Sequence, residues 1–422
     1  MIASFQPVDL FAIVLVLAVA IGCINHFWIK LPPAIGMLLG ALVVSLFIVS
    51  SDRLFHLHVM GWFRDTLDRV HFSRVFLNAA LALLLFAGSL HADVAELRRR
   101  RWMILLLATA SVIISTLCFG AGMWLAFSVI GMTLPFIWCI LLGAILAPTD
   151  AVVVESLLKQ VGLPDNLRAA IVGESLFNDG VGVVLFLLAL GIIQGETTYE
   201  FGHGQLLIAF AREIGGGAAL GIGAGWLAAH LMRRVHDDGL LLLISLALVL
   251  GSYRIANVLE LSGPIAVVSA GLCMASPSPR FSMTAKTRTV LASFWTLLDQ
   301  LMNTMLFLLV GLQILGLVIQ PAELIPLAFA VPLAVITRAI SVAVPIAFAR
   351  DGFRDKTRNV AVLTWAGLRG GISIALALTL PASPWRNDLL VVTYAVVVFT
   401  IVVQGLTMPA FLRAAYRGKE AA

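Results

Sequence analysis

Polar positions along this chain are scarce and clustered. Thirteen apolar segments, at 9–27, 31–50, 72–92, 102–130, 134–158, 167–193, 205–232, 239–257, 261–277, 290–318, 322–349, 359–380 and 388–412, are separated by short polar links. A bilayer core of about 30 Å takes roughly 20 apolar residues per helix. Barrel strands would alternate in polarity, and in lipid each backbone polar group must be satisfied within its own segment. The pattern therefore predicts an all-α polytopic membrane protein of thirteen helices. The first apolar run has no basic residues before it and no small-residue cleavage site after it, so it reads as a retained helix. The stretch 51–71 mixes Arg, Asp and His with Leu, Val and Trp and is predicted to be an interfacial amphipathic loop.

Composition agrees. Hydrophobic residues make up 60% of the 422 and charged residues 12%, where a soluble domain carries about 25% charged. A net charge of +5 could suggest nucleic acid, but the basic residues sit in short clusters between apolar spans, as membrane topology requires. The four cysteines all fall inside apolar spans and read as small core residues without a disulfide framework. Trp28, His91, Trp102 and Trp226 near span ends read as interface anchors.

Orientation follows from the Lys and Arg counts. With the link after span one taken as inside, 19 basic residues lie inside, 6 outside and 3 (Arg212, Arg338, Arg369) within spans. That bias places the N-terminus outside and the C-terminus in the cytoplasm. The tail beyond Leu412 is too short for a domain, so function is expected within the bundle.

Two spans are interrupted. Span five carries Ala147-Pro148-Thr149-Asp150, and span twelve carries Gly367-Leu368-Arg369-Gly370-Gly371. Span five is second in the triplet 4–6, and span twelve is second in the triplet 11–13. Broken helices at corresponding positions of two halves point to a transporter binding site and to an inverted repeat. Glycine and proline here could also serve only packing and kinking.

Span six holds the densest polar set: Glu174, Ser175, Asn178 and Asp179. At about 100° per residue, and with Glu174 at zero, Asn178 falls near 40°, Ser175 near 100° and Asp179 near 140°, one wedge of the helix. Ionisable groups in a span cost ~2.5–3.5 kcal/mol and are functional candidates. Hard monovalent cations want oxygen ligands. Asp179 would supply the charge, Ser175 a hydroxyl, and the break at Thr149 a hydroxyl and freed carbonyls. Desolvation penalises the charged form of a carboxyl at depth. Such a group holds a proton or a cation, and not both well, which suffices for exchange. Arg338 and Arg369 are candidates to balance Glu174 and Asp150; these charges could also serve only to hold the bundle together. Asp299 and Asn303 lie one turn apart at the start of span ten and could line a vestibule, although a helix-end position accounts for them equally well by solvation. Glu155 reads as close to the cytoplasmic end. No filter repeat favours a channel, no Ser/His pair, His-Glu-x-x-His run or metal cluster favours an enzyme, and no cofactor is implied.

Ala147-Pro-Thr-Asp-Ala-Val152 followed by Gly173-Glu-Ser-Leu-Phe-Asn-Asp-Gly180 resembles the monovalent cation–proton antiporters, in their NhaP-like and sodium–proton exchanger branch. Leu84-Leu-Phe-Ala-Gly-Ser-Leu90, Phe307-Leu-Leu-Val-Gly311, Thr337-Arg338-Ala339 and Gly367-Leu-Arg-Gly-Gly371 extend the resemblance over nearly the whole chain. It implies a core part (about 102–193 and 322–412) moving against a dimerisation part (about 9–92 and 239–318), joined by a linking helix (about 205–232), in a homodimer. Residues 413–422 would be a short cytoplasmic tail. It also implies Na+, Li+ or K+ bound at Asp179 with Ser175 and Thr149, Glu174 nearby and Asp150 close by, and Arg338 paired with Glu174. The Asn178-Asp179 pair resembles the electroneutral branch, one cation for one proton, with a K+-selective or electrogenic exchanger as the alternative, and a bacterial inner membrane is the expected location. Ala151, where many members have Pro, and Gly88-Ser-Leu90 are small departures.

Overall fold

Apolar length dictates the elements, and a computed structural model describes them for residues 7–55, 72–150, 154, 165–195, 205–276, 285–313, 317, 324–348 and 355–416. Regular structure among the described residues is helical throughout. In chain order the helices are α1 (Pro7–Ile24), α2 (Pro33–Phe55), α3 (Phe72–His91), α4 (Val94–Arg99), α5 (Arg101–Val129), α6 (Phe136–Leu146), α7 (Asp165–Gln194), α8 (Gln205–Met232), α9 (Asp238–Val258), α10 (Gly263–Ala275), α11 (Ala285–Gln313), α12 (Leu324–Phe348), α13 (Lys356–Trp365), α14 (Gly371–Leu378) and α15 (Arg386–Tyr416). Among the described residues a wider π-turn, Asn25–Ile29, follows α1, and two long helices contain one, Leu107–Ser111 in α5 and Thr400–Gln404 in α15.

Among the described residues nine helices are long and apolar enough to cross a membrane, and three more apolar ones, Ala79–His91, Phe136–Leu146 and Gly263–Ala275, are shorter. Polar residues set several of the starts. Ser262 accepts from the Ile265 amide at 3.4 Å and Pro264 occupies the first turn of α10, where its missing N–H costs nothing. Asp237 and Asp355 cap α9 and α13 in the same way.

Packing divides the bundle. The apolar windows of α7 and α15 are 61% and 67% buried, against 22% for α1 and 28% for α8. Large apolar side chains such as Val16, Phe47, Val129 and Phe348 point outward, as lipid-facing residues do. Small residues let the inner helices touch backbone to backbone. A Cβ on Gly143 of α6 would lie 2.2 Å from the Thr116 carbonyl oxygen of α5. On α8, Gly217, Gly221 and Gly225 repeat every four residues and face the carbonyls of Ser262, Ala266 and Ala270 along α10.

Where residues are described, the elements follow the predicted segments with local corrections; residues 151–153 and 155–158 of span five, and 314–316 and 318 of span ten, lie outside the described residues. α11 begins at Ala285, not 290, because the polar turn Lys286-Thr-Arg288 is helical rather than part of the link. Asp299 and Asn303 therefore lie mid-helix instead of at a helix start. The first five residues of the predicted amphipathic loop, Ser51–Phe55, belong to α2. Residues 56–71, Glu155 and the tail beyond Tyr416 lie outside the described residues.

Candidate functional site

The predicted breaks meet at one point. α6 ends at Leu146 and residues 147–150 are not helical; α13 ends at Trp365 and residues 366–370 are not helical. The Asp150 amide donates to the Leu368 carbonyl at 2.7 Å, so the two interrupted chains cross backbone to backbone. Two glycines permit the crossing. A Cβ on Gly370 would lie 2.2 Å from Asp150 Oδ2, and one on Gly182 of α7 would lie 2.3 Å from Pro148 Cγ.

A broken helix leaves carbonyls that cannot stay unpaired in lipid. The end of α6 is served by α14's leading segment: Arg369 Nη1 donates to the Ala147 carbonyl at 2.5 Å and the Pro148 carbonyl at 3.2 Å. Arg369 is 2% exposed. Its planar cation sits where a helix C-terminus concentrates negative charge. The Arg369 guanidinium thus bonds backbone carbonyls of the same break, a role that residue spacing does not reveal. The next residue, Thr149, is held from α7. Asn178 Nδ2 donates to Thr149 Oγ1 at 2.7 Å and to its carbonyl at 3.4 Å.

The second break has its own supports. The Arg369 amide donates to Thr400 Oγ1 at 3.1 Å, from the π-turn of α15. Arg338 on α12 donates to the Leu363 carbonyl near the end of α13 at 3.4 Å. Its main partner is Glu174 on α7, in a bidentate pair at 2.5 and 2.9 Å with both side chains buried. Gly367 lies flat on this guanidinium, since a Cβ there would be 2.5 Å from Nε.

Asp179 completes the cluster. It is 5% exposed, lies near the middle of the 30-residue α7, and feels the charge of Asp150. Ser175 is half-buried one turn before it, and Asp150 is half-buried at the break. Thr149, Asp150, Asn178 and Asp179 thus converge on the crossing, whereas Glu174 turns to α12 and Arg338. The polar wedge of α7 therefore has two destinations. Thr400 was not anticipated; its signal is a hydroxyl in the otherwise apolar run Phe399-Thr400-Ile401-Val402-Val403. The centre offers carboxylate, hydroxyl and carbonyl oxygens in a buried setting, a ligand set for a hard cation in competition with a proton.

A cavity of about 880 Å³ approaches the cluster between α7 and α14 on one side and α8, α9 and α10 on the other. Its walls include Val183, one turn from Asp179, and its mouth carries Gln194, Arg212, Glu213 and Glu260.

The family model described as "Sodium/hydrogen exchanger, transmembrane" matches residues 11–414. The chain is 37% identical to the Na+/H+ antiporter NhaP of Pseudomonas aeruginosa, over 97% of each chain. It is 30% identical to the Na+/H+ antiporter NhaH of Halobacillus dabanensis, over 81% of this chain and 83% of that one. Among solved structures, the sodium proton antiporter MjNhaP1 from Methanocaldococcus jannaschii shares the fold, with a TM-score of 0.73 at 19% identity over 97% of each chain.

Proposed function

The chain belongs to the sodium/hydrogen exchanger family, and from that premise we propose how its residues exchange Na+ for H+. Asp179 is the exchange site, and the observation that carries the assignment is its burial at mid-helix beside the crossed breaks. Ser175 and Thr149 are co-ligands, and Asp150 acts on the cation through water. Asn178 fixes Thr149 in place with its amide and adds no charge. Glu174 is committed to Arg338. Asp179 is then the one group whose occupant changes, so one Na+ exchanges for one proton without net charge movement.

Either occupant neutralises the Asp179 carboxylate, and only the neutralised site crosses the apolar barrier. α5–α7 and α12–α15 move as the transport unit against α1–α3 and α9–α11, giving access to each face in turn. Support comes from the cavity, which runs along the boundary between α7 and α14 and the glycine-packed pair α8 and α10. With the N-terminus outside, by the excess of basic residues on the opposite face, this cavity is the external approach. A homodimer in a bacterial inner membrane completes the reading.

In proteoliposomes carrying an imposed pH gradient, addition of Na+ is expected to dissipate the gradient. Asp179→Asn is expected to abolish the response. Undiminished exchange in that variant would remove Asp179 from the site, and a rate that follows an imposed membrane potential would overturn the one-for-one stoichiometry.

A further inference from the structure

α11 holds a polar pair that the exchange site does not use. The helix runs Ala285–Gln313, 29 residues, so Asp299 stands at its centre, about 21 Å from either end at 1.5 Å per residue. Asn303, one turn on, donates from Nδ2 to Asp299 Oδ1 at 3.2 Å. Asn303 is 7% exposed, and its Oδ1 is buried without a hydrogen-bond partner among the described residues. A carboxylate and an idle amide oxygen thus sit together at membrane depth.

Their position relates them to the crossing. Asp299 and Leu306 are seven residues apart, two turns along one stripe of the helix. Leu306 packs on the first residue of α14, where a Cβ on Gly371 would lie 2.3 Å from Leu306 Cδ2, and clusters with Ala375. The preceding residue, Gly370, lies on Asp150. Asp299 therefore shares the side of α11 that meets the second break, two turns nearer the end at Ala285. Its neighbours on the stripe are closed: Trp295 is 0% and Leu306 5% exposed. Asp299 between them is only half-buried. Thr296 and Gln300 beside it on the helix are exposed, so Asp299 stands at mid-depth on the border between the closed stripe and open surface.

We propose that Asp299 and Asn303 form a second station for the monovalent cation, between the face that carries Arg98–Arg101 and the exchange site at Asp179. A partly hydrated cation there would take one carboxylate oxygen and the idle Asn303 Oδ1, both hard oxygen ligands. The station rests on the reading of Asp179 as the exchange site and on the orientation proposed with it. It holds the cation on its way and is not itself the carrier.

The test presents Na+ to purified protein in proteoliposomes from each face in turn. Asp299→Asn is expected to raise the apparent KM about ten-fold on the Arg98–Arg101 face, with the maximal rate retained and the other face unchanged. Asp299→Glu, which keeps the charge, is expected to restore most of the affinity. An unchanged KM on both faces, or an equal change on both, overturns the station. If Asp299→Asn does not fold, Asn303→Leu decides instead, with a smaller one-sided rise in KM expected and an unchanged KM overturning the proposal. Loss of exchange in Asp179→Asn alongside unaffected Asp299 and Asn303 variants would sink the station and leave the exchange site standing.

Discussion

The two breaks are alike in outline and opposite in what they offer. At the first, Ala147 to Asp150, the exposed groups are oxygens, and the donors that satisfy them arrive from elsewhere: Arg369 for Ala147 and Pro148, Asn178 for Thr149. At the second, Ala366 to Gly370, the exposed groups are glycines and one arginine, and the Leu368 carbonyl is already taken by the Asp150 amide. The first break presents the oxygens of Thr149 and Asp150 near Asp179, whereas the second gives its Leu368 carbonyl and the Arg369 guanidinium to the first. One is therefore suited to hold a cation, and the other to brace it. Arg369 links the two roles. Its positive charge lies on the negative end of α6, so that dipole is offset locally, and the charge that a cation meets is that of the carboxylates.

The largest expected effect tests whether bracing is separable from binding. Arg338→Ala would leave Glu174 buried and unpaired, which costs about 3–5 kcal/mol. A large fall in the unfolding temperature in detergent is expected, with exchange lost along with the fold. Replacing both partners, as Glu174→Gln with Arg338→Met, is expected to recover most of the stability, because no lone charge remains. That double variant should still exchange Na+ if the pair only braces the second break. A well-folded double variant without exchange would make Glu174 a participant in transport and blur the contrast between the breaks.

A smaller effect is expected from one methyl group at the crossing. The Cβ of Gly370→Ala would fall 2.2 Å from Asp150 Oδ2 and 2.5 Å from Asp150 Cβ. The breaks would have to separate, at an overpacking cost of about 1–3 kcal/mol. Exchange is expected to fall about ten-fold or more, because misplacing the ligands costs far more in rate than in stability. Gly88→Ala on α3, where nothing lies within 4 Å of the added carbon, is the matched control and should leave both stability and exchange unchanged. Equal behaviour of the two variants would show that close contact at the crossing is not what sets the geometry.

Much of this architecture is legible in the residues, and the exceptions share a cause. The breaks announce themselves because Pro148 and Gly370-Gly371 interrupt apolar runs and bring charge with them. Charge alone marks Glu174 and Asp150 as needing Arg338 and Arg369 but leaves the pairing open, and only the family resemblance singles out Glu174 with Arg338. The partners of Arg369 were hidden, since they are backbone carbonyls, and every residue has one. The start of α11 was hidden because Lys286 and Arg288 look like a link, although a helix end in the interface accommodates both. The same misplacement put Asp299 at a helix end rather than at its centre. The ladder of Gly217, Gly221 and Gly225 is plain in spacing, but its opposing surface on α10 is again backbone, at Ser262, Ala266 and Ala270.

The smallest expected effect is the most discriminating for the role of the second break. The Thr400 hydroxyl donates to the Val397 carbonyl at 3.0 Å and accepts from the Arg369 amide at 3.1 Å, so its proton and one lone pair are both engaged. The π-turn that carries it widens the helix there, as such turns do at functional sites. Thr400→Val keeps the shape and removes the acceptor, at a cost of about 1 kcal/mol. If Thr400 only stabilises the fold, the unfolding temperature should drop slightly, with KM for Na+ unchanged. If it positions Arg369, and through it the carbonyls of Ala147 and Pro148 next to Thr149, KM should rise about three-fold with the maximal rate nearly constant. The latter is expected. Thr400→Ser, which keeps the hydroxyl and loses only the methyl, should return KM to its original value, because the acceptor and not the packing of that side chain ties the second break to the first.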